Sequence, residues 1–260
     1  MTSLFVPYGA PLPLNLVEQG IRVVGINMSN PPWKDQLPDG IKLITTADVS
    51  SYKMGGITPT IEHAWGLIMA AHRRLVAAAQ DAFGDRNNWL APYQLSKQTL
   101  GIIGYGRIGR AVGHIGAAFG MCVRDYDPYV AGGRKLNEVL SSEVVFISCT
   151  LNKTSRRLLT GKLGLMKPDS ILVSVAPWEI VDPVEVVMAL SEDRLRAAAF
   201  DDWPPHYNTP LMDKLRENGR LTITPHIAGS ALDARIRTEQ LVKEVMHVWL
   251  EANPLECTNE

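Results

Sequence analysis

Only three cysteines, Cys122, Cys149 and Cys257, occur in 260 residues. Their number is odd and their spacing is not that of metal ligands, so neither a disulfide framework nor a metal site is expected. Cys122 and Cys149 fall in apolar runs and read as reduced core residues. The chain also lacks any run of basic residues: 26 Lys and Arg against 27 Asp and Glu leave a net charge of −1. Such a balance offers no electrostatic stripe to nucleic acid or to an anionic membrane surface. No stretch reaches eighteen uninterrupted apolar residues, and the start MTSLFVPYGAPLPLNLVEQG has no basic segment leading into an apolar one. A membrane span and a leader are therefore not expected, and the reading is a soluble, cytoplasmic protein acting on a small molecule. With 46% hydrophobic residues, the chain can bury one large core or two modest ones.

The most informative stretch is GIIGYGRIGRAVGHIGAAFGMCVRDYDP, residues 101–128. An apolar run ending at Ile103 reads as a buried strand, and Gly104, Gly106 and Gly109 turn the chain into a helix whose free N–H groups can receive a pyrophosphate. Gly104 permits the tight turn, Gly106 leaves no Cβ between backbone and phosphate, and Gly109 lets the helix lie close to the strand. A second strand, MCVRDYD, ends in Asp127, which is placed to accept hydrogen bonds from an adenine ribose and to repel a 2′-phosphate. The cofactor expected is NAD rather than NADP.

Elsewhere, SLFVP, IRVVGI and IKLITT make residues 1–46 a small α/β piece with few strands. Residues 47–58 read as a polar loop. Thr58 and Pro59 supply an N-cap with proline at the first helical position, opening a helix over 59–79. From Gln98 onward strands and helices alternate: QTLGIIG, a helix from Arg107, MCVRDYD, EVVFIS, SILVSV, a helix after Asp182, RAAAFDD and RLTITP. This alternation predicts an α/β, Rossmann-type, doubly wound parallel sheet covered on both faces. A last helix over about 231–251 sets Leu241, Val245, Val248 and Trp249 on one stripe at helical spacing. The predicted division is a reduced substrate or lid segment over 1–58, a dinucleotide-binding domain with its connecting helix over 59–228, and a C-terminal helix returning to the lid over 229–260. Trp65, Leu67, Ile68, Met69 and Leu75 on the connecting helix predict an apolar face suited to a homodimer.

These residues resemble the D-2-hydroxyacid dehydrogenase family, including its formate dehydrogenase relatives. The segment from Gly104 to Pro128 is similar to the family's nucleotide loop, LNKTSRRLLTGKLGLMKPDSILV to its next signature block, TPHIAGS at 224–230 to its catalytic-histidine loop, and TPTIEHAWGLIMAAHRRL at 58–75 to its connecting helix. The resemblance implies that Arg107 and Ile108 touch the pyrophosphate and that Thr150, Val175 and Ala176 flank the cofactor, with Pro177, His226 and Gly229 beside them. It gives Asp201 a contact to the nicotinamide amide, against a capping role. It makes His226 the acid–base group exchanging the proton that accompanies hydride transfer.

Three departures from the family's pattern follow. Where the family carries a substrate-gripping arginine in a motif like VNTARG, the chain reads VSVAPWEIVD, with Pro177 in the arginine's place and Trp178 after it. Where its glutamate or glutamine pairs with the histidine, in a block like DVFEPEP, the chain reads DDWPPHY and the position is His206, which orients His226, binds substrate or stands as an exposed loop residue. The N-terminal substrate domain looks shortened. Arg73, Arg74, Arg156 and Arg157 read as a solvated or domain-bridging face, or one of them replaces the missing cation, and Trp178 and Trp203 line an aromatic pocket or pack in the core. The reading is an NAD(H)-dependent oxidoreductase on an atypical hydroxy or keto substrate. The alternatives are a catalytically degenerate NAD-binding sensor or partner protein, or an enzyme using NAD without net redox chemistry.

Overall fold

A computed structural model describes residues 3–7, 9–26, 28, 31–50, 53–80 and 92–254; Cys257 lies outside them. The chain divides into two compact units, Pro59–Gly229 and a second made of Met1–Thr58 with Ser230–Glu260. In the smaller unit β1 (Ser3–Val6), β2 (Val23–Ile26) and β3 (Lys42–Ile44) form a parallel sheet with β2 in the middle.

The larger unit is a six-stranded parallel sheet. Its strands are β4 (Thr99–Ile103), β5 (Cys122–Tyr126), β6 (Val144–Ile147), β7 (Ser170–Ser174), β8 (Leu195–Phe200) and β9 (Leu221–Ile223), in the order β5-β4-β6-β7-β8-β9. Its helices are α1 (Pro59–Arg73), α2 (Leu75–Gln80), α3 (Arg107–Ala118), α4 (Leu136–Leu140), α5 (Pro183–Ser191) and α6 (Pro210–Glu217). The apolar strand runs bury both faces because successive side chains alternate across the sheet. Ile102, Phe146, Ile171, Val173 and Ala199 meet Ile61, Trp65 and Ile68 of α1 and Val112 of α3. Leu172, Val145, Ile147 and Phe200 point the other way, against Val139 of α4, Val186 and Leu190 of α5 and Leu215 of α6. This is the predicted Rossmann-type α/β architecture, and because all six strands are parallel the loops at their carboxyl ends share one edge.

Several expectations need correction. The helix predicted over 59–79 is two helices, because Arg74 takes a left-handed backbone with φ 51° and breaks the hydrogen-bond ladder between α1 and α2. Of the predicted apolar face, Trp65, Leu67 and Ile68 are buried inside the larger unit and Met69 is half-buried, leaving Leu75 exposed. The last helix is α7 (Leu232–Ala252), and its buried line is Ala234, Thr238, Val242 and Met246, one residue round from the predicted stripe; Val248 is exposed. Cys122 opens β5 but is exposed rather than buried. No helix among the described residues is long and apolar enough to cross a membrane.

At the end of α1, His72 is 3% exposed, with Nε2 3.1 Å from Gln98 Oε1. Burial, reinforced by the neighbouring Arg196 guanidinium, lowers its pKa from 6.5 to about 4. The unfolded chain therefore takes up this proton first as pH falls. The stability that His72 contributes is whole above pH 6.5 and drains away towards pH 4, a loss of about 3 kcal/mol. Denaturant unfolding at pH 7 and pH 4.5 tests this against His72→Gln, which should flatten that part of the pH dependence; the same pH dependence in both proteins would refute it.

Candidate functional site

After β4 the chain builds β5 on one side, then crosses back to build β6 on the other, so the strand order reverses between β4 and β6. Residues following β4, β5 and β6 line a cavity of about 340 Å³ there, among them Gly104, Gly106, Asp127, Tyr129, Cys149 and Thr150. The crevice outside the carboxyl ends at such a reversal is where an open parallel sheet receives a ligand.

The glycines shape its floor. Gly104 has φ 93°, and a Cβ on it would stand 2.5 Å from the Cys149 backbone nitrogen. A Cβ on Gly109 would stand 2.1 Å from the Gly104 carbonyl oxygen, so only glycine lets α3 start this close to the strand end. At Gly106 an added Cβ meets nothing within 4 Å, and the space beside the first turn of α3 stays open. The leading N–H groups of a helix have no acceptor within it and carry the positive end of its dipole. An open, glycine-floored helix start of this kind fits a pyrophosphate, and Arg107 and Ile108 are its first two helical residues. Burial lowers the Arg107 pKa.

Asp127 follows β5 at the cavity rim. Tyr105 N–H donates to its Oδ2 and Tyr129 N–H to its Oδ1, each at 2.9 Å. A carboxylate has lone pairs beyond these two bonds, so Asp127 is held in place with capacity left for a ligand's hydroxyls. Across the rim, Asn152 Oδ1 accepts from the N–H groups of Thr154 and Ser155, and Ser155 Oγ donates to Thr150 O at 2.7 Å, bracing the loop that carries Thr150. The half-buried Cys149 thiol is pushed up to about 11, by burial first and then by the Asp127 charge, and so stays protonated and unreactive at neutral pH.

A second cluster sits on the same edge, after β7, β8 and β9. His226 has a left-handed backbone, φ 54°, a sparsely populated region for a residue with a side chain. Asp201, just past β8 and 2% exposed, holds the loop in that shape. Its Oδ1 accepts from Thr224 Oγ1 at 2.6 Å and Ile227 N at 2.9 Å, its Oδ2 from Ala228 N at 2.8 Å, and its backbone carbonyl from His226 N at 2.6 Å. The Asp201 carboxylate is thus engaged by the loop itself, while Gly229 ends the loop, exposed.

The His226 side chain is 65% exposed, and its Nδ1 lies 3.7 Å from Asp202 Oδ1. The other oxygen of Asp202 accepts from Trp178 N–H at 3.2 Å, joining the segment after β7 to that after β8. The sequence reading put only His206 in place of the family's pairing carboxylate; the structure sets the Asp202 carboxylate beside His226. Val175 and Ala176 lead from β7 to Pro177, which begins the turn carrying Trp178. His206 packs edge-on against Trp178, ring centroids 6.1 Å apart. Trp203 instead joins the core, edge-on to Phe200 and donating from Nε1 to Tyr207 O.

Among the candidate cations, Arg156 lies 3.8 Å from Glu179 Oε1, Arg73 and Arg157 are exposed, and Arg74 donates to Asn218 O beside the amino end of β9, on the edge away from the site. The sequence reading missed His63, Thr224 and Asp202. His63 on α1 has Nε2 3.0 Å from Thr224 Oγ1 and 3.3 Å from Asp201 Oδ1. The doubled acid at 201–202, after an apolar strand, was the one available signal for Asp202.

Residues 65–228 match the family model for the D-isomer specific 2-hydroxyacid dehydrogenase, NAD binding domain. The chain belongs to this family. It therefore carries a D-2-hydroxyacid dehydrogenase's NAD-binding domain, and NAD is the cofactor that goes with it. Among relatives, the glyoxylate reductase of Pyrococcus furiosus is 29% identical over 225 residues, covering 78% of this chain and 64% of the relative; the chain thus spans under two thirds of that enzyme's length. Among solved structures, an acyclic imino acid reductase in complex with NADPH and D-Arg matches with a TM-score of 0.78 at 21% identity, covering 98% of this chain and 84% of the other. The NAD-complexed D-isomer specific 2-hydroxyacid dehydrogenase of Lactobacillus delbrueckii ssp. bulgaricus matches with a TM-score of 0.78 at 18% identity, covering 98% and 85%. Both likenesses are of fold and cover nearly the whole chain.

Proposed function

We propose that the chain is an NADH-linked oxidoreductase acting on a hydroxy or keto compound other than a simple 2-hydroxy acid, with His226 as its acid–base group and Asp202 as the carboxylate that orients it. The observation that carries this is His226 standing exposed on the edge that also holds the dinucleotide crevice, with Nδ1 turned to Asp202. Gly104, Gly106, Gly109, Arg107 and Ile108 would hold the pyrophosphate and Asp127 the adenine ribose, favouring NADH over NADPH. When bound, the reduced nicotinamide supplies the hydride. With Nδ1 facing Asp202, Nε2 is the nitrogen left to give a proton to a substrate oxygen or take it back. An ion pair this exposed contributes under about 1 kcal/mol, so Asp202 serves chiefly to fix the ring's direction.

The substrate side of the reading rests on Pro177 and Trp178. Proline offers no donor, and losing a bidentate arginine–carboxylate contact costs roughly 2–5 kcal/mol, tens to thousands of fold in rate. Pyruvate, glyoxylate, hydroxypyruvate and formate should accordingly be turned over with NADH or NAD at a kcat/KM well below about 10⁴ M⁻¹s⁻¹, and Pro177→Arg alone should not restore them. Efficient turnover of any of the four would overturn the substrate assignment. Tight NADH binding without turnover of any carbonyl compound would favour the sensor alternative.

A further inference from the structure

We propose that His63, on α1, is a positioning residue that braces the His226 loop through Thr224 and Asp201. The inference rests on the reading of His226 as the acid–base group. Proton accounting fixes the direction of the brace. The Thr224 hydroxyl has a single proton, and it is committed to the Asp201 carboxylate at 2.6 Å. Towards His63 that oxygen can only accept, so His63 Nε2 must carry the hydrogen it shares at 3.0 Å. The same N–H lies 3.3 Å from Asp201 Oδ1, where it helps compensate a carboxylate almost wholly removed from water.

The brace is anchored in a rigid element. Ile61, Ala64, Trp65 and Ile68 of α1 are buried against the sheet, so the backbone at His63, whose side chain is 23% exposed at the edge of that stripe, cannot shift without moving the helix. From His63 the chain of contacts runs through Thr224 to Asp201 and on to the amides of Ile227 and Ala228. Those amides flank a histidine whose backbone sits at φ 54°, a conformation that persists when its surroundings over-determine it. His63 is not among the residues lining the crevice; its polar contacts run to Thr224 and Asp201, so it acts through the loop.

Hydrogen exchange of the full-length protein tests the brace directly. In His63→Ala the amides of Ile227 and Ala228 should exchange about ten- to a hundredfold faster, the range for weakening a hydrogen bond to a charged group. In His63→Gln, whose side-chain amide restores a donor, they should stay within about threefold of the wild type. Unchanged exchange in His63→Ala would overturn the proposal, as would a glutamine variant as fast as the alanine one. Should the alanine variant not fold, the wild-type protein decides alone: nitrogen-edited NMR of the imidazole should show the His63 proton on Nε2, and a proton held only on Nδ1 would overturn the brace. His226→Ala should leave exchange at 227 and 228 within about threefold. Exchange therefore reports on the brace and turnover on His226, and either can fail without the other.

Discussion

Replacing His226 with alanine should lower NADH-linked turnover by about 10²–10⁴ while leaving NADH affinity within about threefold. The asymmetry follows from placement. The imidazole stands on the loop after β9, exposed beside Asp202, whereas the crevice is built from residues after β4, β5 and β6. Removing the ring removes a proton donor and acceptor but no wall of the crevice. Steady-state kinetics with the best substrate, paired with a fluorescence titration of NADH, separates the two effects. His206→Ala is the control: its ring packs on Trp178, so it should affect substrate affinity more than the rate of the chemical step. Turnover indifferent to His226 would remove it from the mechanism.

The second large effect is a contrast between two glycines three residues apart. A methyl group on Gly109 collides at 2.1 Å with a backbone carbonyl, which cannot swing aside as a side chain can. Gly109→Ala should cost about 3 kcal/mol or more, lower Tm by about 6–12 °C and abolish NADH binding by displacing the turn. A methyl group on Gly106 meets no protein atom within 4 Å, so Gly106→Ala should melt within about 2 °C of the wild type. It should nevertheless weaken NADH binding by at least about tenfold, because the methyl group occupies space a pyrophosphate needs. Thermal melts and NADH titrations of both variants suffice. Wild-type affinity in Gly106→Ala would mean the cofactor does not approach that turn, and a fully stable Gly109→Ala would contradict the close start of α3.

The glycine turn and the six strands of the larger unit were legible because each leaves a mark in the letters themselves: a steric demand that only glycine meets, or an apolar run long enough for a strand buried on both faces. Arg74 left no such mark. It takes a left-handed backbone that glycine usually fills, and nothing in HRRL announces it. Helix α6 was missed although Thr209 accepts from Met212 N–H with Pro210 following, the same pairing that marked the start of α1. His63 and Asp202 were hidden for another reason. His63 and Thr224 are 161 residues apart in sequence, so their roles exist only once the sheet has brought α1, β8 and β9 together. The buried line of α7 was displaced by one position because Leu241, Val245 and Trp249 are themselves partly buried, leaving a broad apolar face whose centre the spacing alone did not locate.

Asp201 and Asp202 are consecutive, yet they answer to different neighbours. The first is tied to the loop backbone, Thr224 and His63; the second faces the Trp178 amide and the His226 ring. Holding the loop and facing the imidazole are thus assigned to separate side chains on one strand end. On the proposed function, changes at Asp202, His206, Pro177 or Trp178 would alter which molecule is accepted while the backbone that presents the imidazole keeps its shape. Such a layout lets a lineage, or an engineer, exchange one substrate for another by editing a few surface-facing positions, with the scaffold beneath left intact.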